Sequence, residues 1–278
     1  PGLFWAFNVG NQRRKLRFSI LGGVLFALMI LGGQPQYAAL GGLLVGGYAV
    51  VVSVKSVNGG LCFDWWALVS LAVVAFVGLG IGSLQLLPTW EFVAQSHRRT
   101  SDMEWWLFSA LPLRHITTFW LPDLFGSAEV GKPPYWGQKM NYVEYTFYFG
   151  IVPLLLSALA PIVSHRRRVA WLWSAVTVVT VLVAVGSPLA HLAQWIPGMT
   201  YFALHRTMSH VPFLGSWLAA LALDAMIDRP RESRAFTWAL LGTAGLILAT
   251  GVVLYACRLE VRHHSNEISP HLLRQGAV

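Results

Sequence analysis

The stretch WWALVSLAVVAFVGLGIGSLQLLP, residues 65–88, carries no charged side chain from end to end. About 20 apolar residues are what an α-helix needs to cross the hydrocarbon core of a bilayer. Inside hydrocarbon each backbone N–H and C=O must be satisfied within the segment, so such a run specifies a helix. Working outward, comparable runs predict seven spans, at roughly 18–33, 37–54, 65–88, 145–164, 169–187, 211–227 and 235–256. The expected fold is all-α: a polytopic transmembrane helical bundle of about seven spans, forming a single membrane domain over 1–278.

Composition agrees with a membrane protein. Of the residues, 55% are hydrophobic and 12% charged, about half the charged share usual for a soluble domain. Thirteen tryptophans suit a chain with two water–lipid boundaries. The net charge of +8 sits in short clusters between apolar runs, a pattern that anchors loops beside anionic membrane lipid, so nucleic acid is not an expected partner. The opening PGLFWAFN reads as the end of an interrupted helix and a polar tail fills 257–278, so the chain is expected to be an internal fragment of a longer protein.

The clusters orient the spans. Arg13, Arg14, Lys15 and Arg17 precede the first, Lys55 follows the second, Arg166 to Arg168 follow the fourth, and Arg229, Arg231 and Arg234 follow the sixth. If every run crosses once, all lie on one side, the cytoplasm by the positive-inside rule. The 33–37 and 188–210 loops, the long 89–144 segment and the tail then lie outside. Cys62 and Cys257 fall on opposite faces and do not pair. Gly42 with Gly46, and Gly78 with Gly82, have the small-xxx-small spacing of a close helix seam; a glycine-lined substrate path is the alternative. The sequence holds no phosphate-binding loop, HExxH, GxSxG or CxxC motif.

Polar residues within apolar runs cost free energy and mark packing contacts or function. Here they gather toward the outer side. Gln34 and Gln36 lie in the turn between the first two spans, and Gln85 lies one turn before Pro88. Glu91 follows two turns on, near enough to the same face to line one groove with Gln85. His97, Arg98 and Arg99 form a cationic group at the water boundary. The 103–121 run, broken by Pro112, predicts one or two short interfacial helices with Trp and Phe facing lipid. Asp123, Tyr135, Trp136 and Glu144 then suit a loop shaped over a site at the membrane surface. His191, His205 and His210, with His97 and His115, lack a zinc spacing joined to a carboxylate and do not define a metal centre. Arg206, just before the sixth span, has the planar fork that suits a phosphate.

These residues, in this order, resemble the YfhO family of bacterial membrane proteins, related to the GT-C class of polytopic glycosyltransferases. The matching stretches are LGGQPQ at 31–36, LQLLPTWEF with Ser96-His97-Arg98 behind it, LPDLFG at 121–126, YWG at 135–137 and EYTFYFGIVPLLL at 144–156. GSPLAHLAQWIPGM followed by Leu204-His205-Arg206 completes them, and together they cover nearly the whole chain. His210 stands where the family commonly has a second arginine. The resemblance puts the catalytic acid of such enzymes in an outer loop upstream of this sequence, so Glu91, Asp123 and Glu144 are left to position an acceptor or bind a divalent metal.

The resemblance implies sugar transfer at the outer face of a bacterial cytoplasmic membrane, from a polyprenyl-phosphate-linked donor to a cell-envelope acceptor. Gln34, Gln36, Gln85, Glu91, Arg98, Asp123, Tyr135, Trp136, Glu144, His205 and Arg206 are the candidate substrate-binding residues, and no catalytic residue is assigned. A transporter or lipid flippase, or a non-catalytic scaffold for envelope assembly, remain the alternatives.

Overall fold

A computed structural model describes residues 1–57, 60–96, 103–128, 135–137, 142–196 and 199–228, with isolated helical positions between 237 and 252. The architecture is helical, and the chain reads as a membrane protein. Among the described residues four helical segments are long and apolar enough to span: Pro35–Ser53, Trp65–Gln95, Arg167–Ala184 and Leu204–Asp228. Two expected spans are realised as shorter apolar helices, Leu16–Leu31 and Ile151–Val163. The expected seventh lies mostly outside the described residues.

Contacts divide the chain into two compact units, Pro1–Leu113 with Thr177–Phe213, and Arg114–Val176 with Leu214–Val278. The first is built on α1 (Gly2–Arg13), α2 (Leu16–Leu31), α3 (Pro35–Ser53) and α4 (Trp65–Gln95). Tight turns separate the first three helices. Arg14 closes α1 in the left-handed region (φ 50°), and Gly33, at φ 79°, turns the chain from α2 into α3. Only glycine enters that region without steric cost, which is why α2 stops where the sequence has Gly32-Gly33.

Between α3 and α4 the chain makes an antiparallel hairpin, β1 (Val54–Val57) with β2 (Gly60–Phe63), pairing Val57 with Gly60. An all-α reading did not anticipate it. Asp64 then caps α4 by accepting from Trp66 N at 3.1 Å, and its other oxygen receives Arg14 Nη2 at 3.0 Å. Trp66 Nε1 donates to Gly10 O at 3.2 Å. These bonds bring the α1–α2 turn and the hairpin to one end of the unit. The Gln34 turn, a helix length away along α2 and α3, marks the other.

α2 and α4 run parallel through a seam of small residues. A Cβ at Gly78 would stand 2.5 Å from Phe26, and one at Gly82 2.7 Å from Ile30. Gly23 meets Val77 in the same way, at 2.6 Å. The offset of 52 that pairs 26 with 78 and 30 with 82 sets the register. It puts Ile30 level with Gly82, so the last residues of α4 rise beyond the end of α2. With 31 residues α4 is about 46 Å long, well over the hydrocarbon thickness. It was expected to stop near Pro88, yet continues to Gln95. Proline removes one helix donor, and just beyond it Thr89 Oγ1 donates back to Gln85 O at 2.7 Å.

In the second unit a 3₁₀ turn (Leu113–Phe119) precedes α6 (Tyr142–Tyr145), α7 (Ile151–Val163), the first part of α8 (Arg167–Ala184) and the latter part of α10 (His210–Asp228). α7 begins six residues later than the expected span at 145. Gly150, at φ 105° and ψ 141°, is not helical and forms its N-cap. Trp173 of α8 faces Trp217 of α10 with ring centroids 6.4 Å apart.

Candidate functional site

At the Gln34 end of the first unit, the last residues of α8 lead into α9 (Pro188–Ala193) and two 3₁₀ turns, Met199–Tyr201 and Leu204–Ser209. Gly186, at φ 74°, makes the bend after α8. α5 (Met103–Phe108) docks against this stretch, with Trp106 fully buried among Leu40, Val183, Ala190, Met199 and Leu204. The split of 103–121 into two short helices around Pro112 follows expectation, but Trp106 does not face lipid. The neighbouring Trp105 is exposed, and at 100° per residue two adjacent tryptophans cannot share one outward face.

Ser109, wholly buried just after α5, joins the pieces. Its Oγ donates to Trp106 O at 2.6 Å and accepts from Leu204 N at 2.8 Å. Its carbonyl accepts from His205 Nδ1 at 2.8 Å and from His205 N at 3.3 Å. A backbone carbonyl only accepts, so the His205 proton sits on Nδ1. His205 is buried and holds the 3₁₀ turn in place. The next residue carries the charge. Arg206 Nη1 donates to Gln36 Oε1 at 2.6 Å, and Gln36 Nε2 donates to Tyr201 O at 3.3 Å.

Gln36 is buried in the first turn of α3, and Arg206 is half-buried beside it. α3 starts without a side-chain cap, because Gln34 makes no such bond and projects exposed. Pro35 in the first position has no N–H and Tyr37 N donates to Gln34 O at 3.1 Å, so the positive end of α3 comes from its aligned peptide dipoles. A guanidinium held against that turn therefore makes a locally positive site at one end of the membrane helices. The planar guanidinium fork matches phosphate or carboxylate oxygens.

Gln85 is half-buried, and its amide donates to Thr89 Oγ1 at 3.3 Å within its own helix. Glu91 is exposed. Six residues at 100° each put it about 120° around α4 from Gln85, so the two do not line one groove. Arg98, with His97 and Arg99, lies outside the described residues. Among the described residues no three His, Cys, Asp or Glu side chains converge.

Asp123, Tyr135, Trp136 and Glu144 belong to the second unit, where LPDLFG and YWG come together. Trp136 N donates to Phe125 O at 2.9 Å, and the two rings meet edge-on at 5.1 Å. Tyr142 Oη donates to Asp123 Oδ1 at 2.8 Å. Glu144 is half-buried in α6. Sequence reading did not give His115 its central part here. Its ring is buried, stacked on Phe125 at 4.2 Å, with Nε2 3.2 Å from Tyr135 Oη. Burial, helped by the neighbouring Arg114 charge, pushes the His115 pKa down to about 4, so the imidazole is neutral. Burial pushes the Tyr135 hydroxyl up to about 12, against the pull of Arg114. Ser109 was missed as well: one hydroxyl in an apolar segment gives no sign of a partner 95 residues away. No protein family, curated protein or solved structure matches the chain.

Proposed function

We propose that the intact protein is a YfhO-like, GT-C-type glycosyltransferase of the bacterial cytoplasmic membrane. It spans the membrane about seven times, and the 89–144 segment forms an outer loop carrying interfacial helices. A polyprenyl-phosphate-linked sugar is the donor, and a hydroxyl of a cell-envelope lipid or polymer is the acceptor. The acceptor oxygen bonds to the anomeric carbon as the bond from that carbon to the phosphate oxygen breaks. The acceptor's proton goes to a general base, a role assigned to none of the residues of this sequence. The polyprenyl phosphate departs with the bonding electrons, and Arg206 balances the charge that develops on it.

The observation that carries this reading is the Arg206–Gln36 bond of 2.6 Å at the uncapped start of α3. A fixed cation stabilises most where negative charge grows during the reaction. Asp123, Tyr135, Trp136, Glu144, Gln85, Glu91 and Arg98 are kept as separate candidate contacts to the sugar or the acceptor. The test is transfer from radiolabelled polyprenyl-phosphate sugars by membranes carrying the full-length protein. Arg206→Ala is expected to lower turnover by about 10²-fold, the usual effect of removing one donor to a developing oxyanion. Equal turnover in the variant removes the assignment.

A lipid translocator is the second reading. It is favoured by Gly46 and Gly47 of α3, where an added Cβ would meet nothing within 4 Å among the described residues. Scrambling of a labelled lipid in vesicles, without sugar transfer, would select it.

A further inference from the structure

The turn from α1 into α2 carries four cations, Arg13, Arg14, Lys15 and Arg17, all exposed. They are not equivalent. Arg14 donates to Asp64 at 3.0 Å and ties the turn to the hairpin. Arg13 and Arg17 converge instead on one aromatic ring, with guanidinium carbons 5.8 and 5.0 Å from the centroid of Phe18. Neither has a carboxylate partner among the described residues. The ring quadrupole holds a cation over its face, but two guanidinium groups gathered on one ring repel each other. An anion bound by both relieves that repulsion.

The spacing suits one phosphate. The two carbons are no farther apart than the sum of their distances to the ring centroid. A phosphate held by both, through N–O contacts of about 2.8 Å on either side, sets them roughly 8 Å apart, inside that limit. The surroundings suit a lipid. Phe63 and Trp65, exposed and with ring centroids 4.5 Å apart, flank the residue that Arg14 binds and mark the level of the headgroups. From the turn inward, α2 presents Leu16, Ile20, Val24 and Leu28, all exposed and four residues apart. That stripe is about 18 Å long at 1.5 Å per residue, more than the ~15 Å of hydrocarbon in one leaflet. A soluble anion would use the cations alone, whereas a phospholipid uses cations and stripe together.

We infer that Arg13 and Arg17 hold the phosphodiester of one anionic phospholipid whose acyl chains lie along the α2 stripe. A choline or ethanolamine headgroup would bring a third cation to the ring, so the headgroup is one without a positive charge, as in phosphatidylglycerol. The site depends neither on sugar transfer nor on which face of the membrane the turn occupies. Diffuse attraction between a basic loop and a charged bilayer responds to the number of cations, whereas this site distinguishes among them.

Native mass spectrometry of the delipidated full-length protein in a neutral detergent makes that distinction, with dioctanoyl phosphatidylglycerol, dioctanoyl phosphatidylcholine and glycerol 3-phosphate as probes. One phosphatidylglycerol should bind at least about tenfold tighter than phosphatidylcholine, and glycerol 3-phosphate should not bind over the same range. Arg13→Gln and Arg17→Gln should each weaken phosphatidylglycerol about tenfold, the loss of one charge-assisted contact. Lys15→Gln removes the same charge from the same turn and should weaken it less than about threefold. All three side chains are exposed, so the substitutions leave the fold intact. Equal weakening by the three variants would overturn the site, for then the lipid responds to net charge. Phosphatidylcholine binding as tightly would overturn it as well, and glycerol 3-phosphate binding as tightly would make the turn a soluble-anion site. Absence of selective lipid binding, as when another segment of the full-length chain covers the turn, would equally overturn it.

Discussion

Arg206 and Gln36 each stood out in the sequence for their chemistry, but a hydrogen bond across 170 residues leaves no trace in either neighbourhood. The bond makes Gln36 a positioning residue. Gln36→Leu should leave Arg206 in place yet less constrained, raising KM for the lipid donor more than it lowers kcat, whereas Arg206→Lys, which keeps the charge and loses the planar fork, should lower kcat itself. Initial rates over a range of donor concentrations separate the two. Ser109 was illegible for the same reason. Ser109→Ala leaves the buried Leu204 N–H without its acceptor, at a cost of about 1–3 kcal/mol read as a lower unfolding temperature in detergent. His115 gives a pH signature. Its folded pKa, about 4, lies below the unfolded value of 6.5. Its contribution is present above pH 6.5 and lost as pH falls toward 4, amounting to at most about 3 kcal/mol. Thermal unfolding at pH 7 and pH 4.5 should show a larger loss for the wild type than for His115→Phe, and equal losses would remove the buried neutral imidazole.

At the scale of elements, hydropathy made the helices legible and left their ends and partners open. The α4 run was plain from its lack of charge, but its continuation past Pro88 depends on how nearby carbonyls find donors, which no apolar count reports. The hairpin could have been read from Asn58-Gly59, a turn pair strongly favoured in hairpins, behind a β-branched run that ends at Val57; hydropathy alone leaves 55–64 as a plain connection between two spans. The two glycine pairs were alike in spacing and differ in structure. Gly78 and Gly82 accept the side chains of Phe26 and Ile30, while Gly46 has no neighbour among the described residues within 4 Å of an added Cβ. Gly78→Val should therefore push α2 and α4 apart and destabilise by about 1–3 kcal/mol, as overpacking of a tight contact does. Gly46→Ala should leave stability unchanged or raise it, since alanine exceeds glycine in helix propensity by about 1 kcal/mol. Unfolding of both variants in the same detergent compares them directly. A large loss at Gly46 would mean that this face of α3 packs on something beyond the described residues.

For the molecule as a whole, the sequence argued a direction across the membrane from charge alone, and within the first unit the geometry offers a way to test it. Arg13, Arg14, Lys15 and Arg17 are all exposed, and the Arg14–Asp64 pair ties their turn to the hairpin that holds Lys55 and Cys62. Phe63 and Trp65 are exposed beside them, 4.5 Å between ring centroids, as aromatic residues are at a lipid–water boundary. The Gln34 turn and the Arg206 site lie at the opposite end, beyond 16 residues of α2, about 24 Å of helix. The proposed orientation puts the first end in the cytoplasm and the Arg206 end outside. Cys62 is exposed and serves as a native reporter. In intact cells a membrane-impermeant maleimide should leave Cys62 unlabelled until the membrane is opened, in a protein whose Cys257 is replaced by serine. With Cys62 replaced as well, Gln34→Cys should label in intact cells. The reverse pattern would put Arg206 on the cytoplasmic side, where a donor assembled from soluble nucleotide sugars is accessible. It would then exclude transfer at the outer face while keeping the anion site.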